Sequence, residues 1–296
     1  MILQRRNFLL LVTLAGVAVT FDVGQTAAPS ASIPDFSGIW AHGSIPGFEP
    51  LASGPTALVN RARRDGVGNI LQLVGDYTNP ILKPGAAEVV KKFGEMSMVN
   101  VGFPSPRNQC WPNGVPFVFT GGAIEILQQP NTVTILYNYD HQLRRVRMNQ
   151  THPAQVKPSW YGDSVGHYEG DTLIVDTVGV RIGPFAAVDW YGTPFTSALH
   201  VTERYRLIDE NAAKDGWERD AKENFRVQQP HASGRDGKYL QLEFTVEDPG
   251  VFTTPWKATM TYGQGGPDWV ELACAENTFW FPGQEAKVPK ADKPDF

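Results

Sequence analysis

The densest group of side chains able to move protons runs from Trp160 to Asp171, Trp-Tyr-Gly-Asp-Ser-Val-Gly-His-Tyr-Glu-Gly-Asp, with His152 shortly before it. On a strand, Asp163, Val165, His167 and Glu169 share one face and Ser164, Gly166 and Tyr168 the other, because side chains alternate across the pleat. Two carboxylates and an imidazole on one face are a proton-transfer set, since imidazole titrates near neutral pH and a carboxylate holds its tautomer. A hairpin with its polar face in water needs the same residue types, and that bland reading weighs most on Glu169 and Asp171, which flank Gly170. Trp160, at the head of the group, is an aromatic candidate for substrate contact.

A second group lies in Leu199 to Leu207, where His200, Thr202, Arg204 and Arg206 share one face and Val201, Glu203, Tyr205 and Leu207 the other. Glu203 therefore stands in an apolar row and needs a cation, for which Arg144, Arg145 and Arg147 are available. Asp176, between Ile174 and Val178, is in the same position. Such pairs inside a sheet are more often structural than catalytic. An arginine fork also grips a carboxylate, so Arg145 and Arg204 are candidates for holding a substrate carboxylate or an enolate-like intermediate. The acid–base candidates are His152, Asp163, His167 and His200.

Motifs for other chemistries are missing: the chain has no Gly-Lys-Ser/Thr phosphate loop, no His-Glu-x-x-His and no Cys-x-x-Cys. The six histidines, His42, His141, His152, His167, His200 and His231, lie in separate segments. No metal and no cofactor are expected.

These residues sit on elements with a period of two. Leu240, Leu242, Phe244 and Val246 alternate with polar partners, as do Val133, Ile135, Tyr137 and Tyr139, which marks strands buried on one side. Residues 166–177 read as a hairpin with Gly170 in its turn. Further strands are expected over 143–149, 199–208, 256–262 and 269–275. One helix is expected from Pro84 to Phe93, with Gly94 as its stop, while 101–117 and 210–237 read as loop. Nine or ten strands predict a mainly β fold, an antiparallel barrel or strongly curved sheet of calycin-like form with one or two short helices.

The ends bear on compartment. Arg5 and Arg6 precede an apolar run from Phe8 to Phe21 and then a small-residue stretch, the order of a secretory signal. The paired arginines before Phe8 and Leu9 also fit a twin-arginine signal. Residues 1–31 are thus expected to be a signal peptide, 32–283 a single β-rich domain and 284–296 a disordered tail, with the protein periplasmic or secreted. The net charge of −5 and the lack of a basic stripe argue against a nucleic-acid partner, and no second apolar run is long enough to span a membrane. Nothing in the sequence specifies an oligomeric state. The two cysteines, Cys110 and Cys274, are expected to form a disulfide in an oxidising compartment.

Two resemblances rest on these residues. Phe36-Ser37-Gly38-Ile39-Trp40 is similar to the Gly-x-Trp opening of the first strand in lipocalins and other calycin barrels. Over most of the mature chain the sequence resembles a large family of exported bacterial β-rich proteins. The resemblance is carried by Asp35 to Trp40, Cys110 to Pro116, Arg144-Arg145 with His152-Pro153, Trp160 to Thr177, Glu203 to Arg206, Asp248-Pro249, Thr254 to Trp256, and Glu271 to Asn277. It implies an exported β-rich fold and no particular reaction or cofactor. The family's usual Cys-His-Glu run reads Cys274-Ala275-Glu276 here, so Ala275 cannot perform any role of that histidine.

Three functions fit. The first is a barrel that takes a small apolar or aromatic organic molecule into its interior, for which 8 Trp, 9 Tyr and 16 Phe supply lining. The second is a cofactor-independent isomerase, lyase or hydrolase using the same pocket. The third is a structural envelope protein.

Overall fold

A computed structural model describes residues 33–43, 47–61, 72–99, 104–223, 231–266, 269, 273 and 274. The expected signal peptide, the tail and most of the strand expected at 269–275 lie outside them. The strands are β1 (Gly38–Ala41), β2 (Glu49–Pro50), β3 (Ala123–Gln129), β4 (Thr132–Tyr137), β5 (Gln142–Met148), β6 (Asp163–Glu169), β7 (Thr172–Val178), β8 (His200–Ile208), β9 (Tyr239–Glu247) and β10 (Trp256–Gln264). Two helices, α1 (Pro84–Met98) and α2 (Glu210–Glu223), and a 3-10 turn at Phe117–Thr120 complete the described elements.

The sheet closes on itself. β1 pairs with β3 on one side and with the end of β10 on the other, giving a nine-stranded barrel, and β2 adds alongside the start of β10. Closure leaves those nine strands no free edge. Trp40 locks the seam: it is fully buried, donates its indole N–H to the Phe36 carbonyl at 2.8 Å, and carries Arg235 over its ring at 4.2 Å. The barrel is mixed, because β5 and β6 run parallel while every other paired neighbour is antiparallel. A parallel neighbour cannot be reached by a tight turn. Residues 149–162 therefore form a crossover, and His152 rides on it.

Alternation then sorts the wall. Leu240, Leu242, Phe244 and Val246 of β9 point inward and are essentially inaccessible. The interior aromatics pack on one another: Phe244 meets Phe48 at 4.9 Å and Phe119 at 5.0 Å, edge to face.

Two local expectations are corrected. Helix α1 runs through Gly94 to Met98, and Gly94 is a packing residue, since a Cβ there would lie 2.8 Å from the Val74 side chain. Residues 210–223, expected as loop, form α2, which buries Ala213 and packs on β2, β9 and β10. Its apolar positions are too few to announce it. No helix among the described residues is long and apolar enough to cross a membrane.

Candidate functional site on the outer wall

Asp163 opens β6 because the turn before it demands glycine. Gly162 has φ +71°, and a Cβ there would come 2.7 Å from the Val178 carbonyl oxygen. The turn is closed by Ser159, whose hydroxyl donates to the Gly162 carbonyl at 2.9 Å. Asp163 then projects from the outer wall, where its Oδ1 accepts from Arg147 Nη2 and from His152 Nδ1, each at 2.6 Å.

Register brings two further strands into line. Val165 faces Asp176 across β6–β7, Val178 faces His200 across β7–β8, and His200 faces Glu247 across β8–β9. Asp163, Asp176 and His200 are therefore diagonal neighbours on one face, close enough for side-chain contact. His200 Nε2 hydrogen-bonds Asp176 Oδ1 directly. His152 Nε2 faces the other Asp176 oxygen at 3.8 Å, and His200 Nδ1 faces Glu247 Oε2 at 4.0 Å. The result is a row, Arg147–Asp163–His152–Asp176–His200–Glu247, in which each imidazole lies between two carboxylates.

The row is electrostatically polarised. Burial alone would raise the Asp176 pKa, but the His200 hydrogen bond and charge, with help from His152, hold it below the ordinary carboxylate value. The Asp176 hydrogen bond lifts His200 above the ordinary imidazole value, with partial burial opposing and the Asp176 and Glu247 charges assisting. Asp176 is thus an anion and His200 a strengthened base. With Nε2–H committed to Asp176, Nδ1 is the nitrogen left to exchange protons on the Glu247 side.

Beside that end lies a pocket of about 120 Å³ in the β9–β10 connection, walled by Glu247, Pro249, Phe252, Thr254 and Pro255. Glu247 belongs to both pocket and row. Asp248 holds the pocket's shape: its carboxylate accepts from Thr196 N at 2.6 Å, Thr196 Oγ1 at 2.7 Å and Gly250 N at 2.9 Å.

Three of the four acid–base candidates, His152, Asp163 and His200, meet here. His167 does not: it stands 52% exposed near the β6–β7 turn beside Glu169 at 3.2 Å. Arg204 pairs with Glu169 at 3.2 Å in the same exposed patch. Arg145 is exposed on the outer face of β5, opposite Thr134. Trp160 belongs to a separate aromatic cleft, edge to face with Trp111 at 5.0 Å and under Arg181 at 4.9 Å, with room of about 20 Å³ for one water. Asp176, expected like Glu203 in an apolar row, stands instead 40% exposed on the outer wall with His200 as its partner, and sequence reasoning missed Arg147 and Glu247 as members of the row. Their one sequence signal, an outward charge at a strand end, is shared by many solvated residues.

The interior has its own polar group. Arg144 donates to Glu203 at 2.5 Å; the two are 2% and 0% exposed, so Arg144 is the cation that Glu203 required. Tyr205 donates to Glu203 at 2.8 Å. Arg144 Nε and Nη1 have no hydrogen-bond partner among the described residues. Gly162-Asp163-Ser164-Val165-Gly166 spells a Gly-x-Ser-x-Gly elbow, yet Ser164 is buried mid-wall and bonded to Thr177 at 2.9 Å. An elbow serine sits exposed on a strand-to-helix turn, so this one is structural.

Among the described residues no three His, Cys, Asp or Glu side chains are arranged to hold a metal ion. His200 and Asp176 point at each other and not at a common centre. Cys110 and Cys274 are joined, with Cα atoms 5.4 Å apart. The class defined by fold and site is a disulfide-linked, closed nine-stranded mixed barrel with an acid–base row on its outer wall. No family model matches the chain, and comparison with curated proteins and with solved structures finds no match.

Proposed function

We propose that the protein is a cofactor-independent acid–base enzyme of the isomerase, lyase or hydrolase kind, acting on a small organic molecule at the outer wall. One observation carries this reading: His200 is bonded through Nε2 to Asp176, and its Nδ1 lies 4.0 Å from Glu247 Oε2, a carboxylate that borders a pocket. A neutral His200 takes a proton from the substrate at Nδ1, and Asp176 stabilises the imidazolium formed. The same imidazolium returns a proton later in the turnover. His152 is a positioning residue whose Nε2 lies 3.8 Å from the second oxygen of Asp176, and Asp163, itself bonded by Arg147, fixes it through Nδ1. General acid–base catalysis of this kind contributes about 10²–10⁴-fold in rate.

The test is incubation of the purified protein with a metabolite mixture in deuterium oxide, read by mass spectrometry for deuterium uptake or substrate loss. Labelling above a heat-killed control that disappears in His200→Ala supports the reading. Labelling that survives in His200→Ala, or none at all, ends it. His167→Ala is the matched control and leaves labelling unchanged.

A second reading keeps a small apolar or aromatic guest inside the barrel, where the two unpartnered Arg144 N–H groups would meet its acceptor atom. Native mass spectrometry of freshly purified protein checks it: a retained organic mass absent from Arg144→Met is required. The disulfide supports an oxidising compartment, periplasmic or secreted, for either reading.

A further inference from the structure

The pocket beside Glu247 has a chemistry that selects its occupant. Its volume of about 120 Å³ compares with roughly 150 Å³ for a cavity that holds benzene. The occupant is thus a molecule, or the reacting end of one, of about five or six heavy atoms. Pro249, Phe252 and Pro255 give the walls an apolar, rigid character.

Two carboxylates border this space, and only one is open to a ligand. Both oxygens of Asp248 are taken by Thr196 and Gly250. Glu247 is 46% exposed, and its charged neighbour, His200 Nδ1, is at 4.0 Å, beyond hydrogen-bond distance. Its oxygens are acceptors, so the occupant must bring donors. The Lys83 ammonium donates to the Pro249 carbonyl, a neutral acceptor that leaves its charge in place, so one lysine stands beside the two carboxylates. The two arginines expected to grip an acid, Arg145 and Arg204, lie outside the row and the pocket.

We propose that the substrate of this site is a small uncharged or cationic molecule carrying a hydroxyl or amino group, which it donates to Glu247 in the pocket between Pro249, Phe252 and Pro255, and that small carboxylic acids are disfavoured. The assignment rests on the acid–base reading above for the word substrate, but the binding itself does not. A donor seated on Glu247 stands next to His200 Nδ1, where the proton is exchanged. A carboxylate there would face two carboxylates, Glu247 and Asp248, against the single ammonium of Lys83, and like charges at such spacing repel.

Three probes of one skeleton test it: 1-amino-2-propanol, 1,2-propanediol and lactate, titrated into the full-length protein and followed by backbone amide shifts of residues 247–255. The amine is expected to bind tightest, the diol more weakly, and lactate weakest of the three. Glu247→Gln is expected to lower the amine's affinity about tenfold and bring it level with the diol. Lactate binding as well as the amine, or an amine affinity unchanged in Glu247→Gln, overturns the proposal. His200→Ala separates the two claims. If the binding order holds while deuterium labelling survives in His200→Ala, only the acid–base reading falls. If labelling is lost in His200→Ala while the order fails, only the substrate class falls.

Discussion

Asp176 and His200 stand on neighbouring strands in diagonal register, and the imidazole Nε2 meets Asp176 Oδ1 on the outer face of the barrel. That contact sets the charge state of both groups. It also orients the imidazole so that its second nitrogen lies 4.0 Å from Glu247, a carboxylate that borders the pocket.

Replacing Asp176 with Asn removes the anion that raises the His200 pKa. The value is expected to fall back toward the ordinary 6.5, carrying the acidic limb of the pH–rate profile to lower pH, with turnover down about 10²–10⁴-fold. Imidazole titration by NMR checks the first effect and steady-state rates the second. The stability sign follows from linkage. His200, raised in the folded state, contributes fully below 6.5 and loses that contribution as pH rises through its folded value. Asp176, lowered, contributes above 3.8 and loses it as pH falls through its folded value. Both groups are partly exposed, so the pair is worth about 1 kcal/mol or less.

The interior pair behaves differently. Glu203→Ala strands the Arg144 charge in the barrel and is expected to cost about 3–5 kcal/mol. The double change Arg144→Met with Glu203→Leu replaces the pair by apolar side chains and is expected to cost less than Glu203→Ala alone. Denaturant unfolding of the three proteins decides it; equal losses for single and double would refute the account.

The disulfide closes a loop between residues 164 positions apart. Cys110→Ser with Cys274→Ser is expected to lower stability by roughly 2–5 kcal/mol. Thermal melts with and without reductant should show the wild type falling to the double variant's midpoint only when reduced.

Glu49 supplies a pH signature of the opposite sign to Asp176. Burial pushes its carboxyl up to about 7, nearby Asp220 adds to this, and hydrogen bonds from Thr261 and Thr259 offset part of it. The folded state keeps the proton that the unfolded chain releases near 4.5, so stability falls as pH rises between the two values. The fall is about 3 kcal/mol. Glu49→Gln is expected to flatten that slope, read from unfolding midpoints at pH 5 and pH 8.

Much of the architecture is written locally. The alternation of Leu240, Leu242, Phe244 and Val246, the Gly170 turn and the apolar row around Glu203 depend on a period of two and on nearest neighbours, and the structure bears them out. The pairing of Cys110 with Cys274 was open to sequence reading because only two cysteines exist. Helix α2 was hidden because its burial depends on β2 and β10, not on its own pattern.

The faces within each strand were determined by the sequence alone, because side-chain alternation is a property of the extended backbone. Thus Asp163 and His167 share a face in both descriptions. Which of them joins His200 was decided only by tertiary structure, through the register of four strands and the 149–162 crossover that carries His152. Register is a long-range property: a shift of one residue would send Asp176 inward and leave His200 without its partner. The row exists because of that alignment.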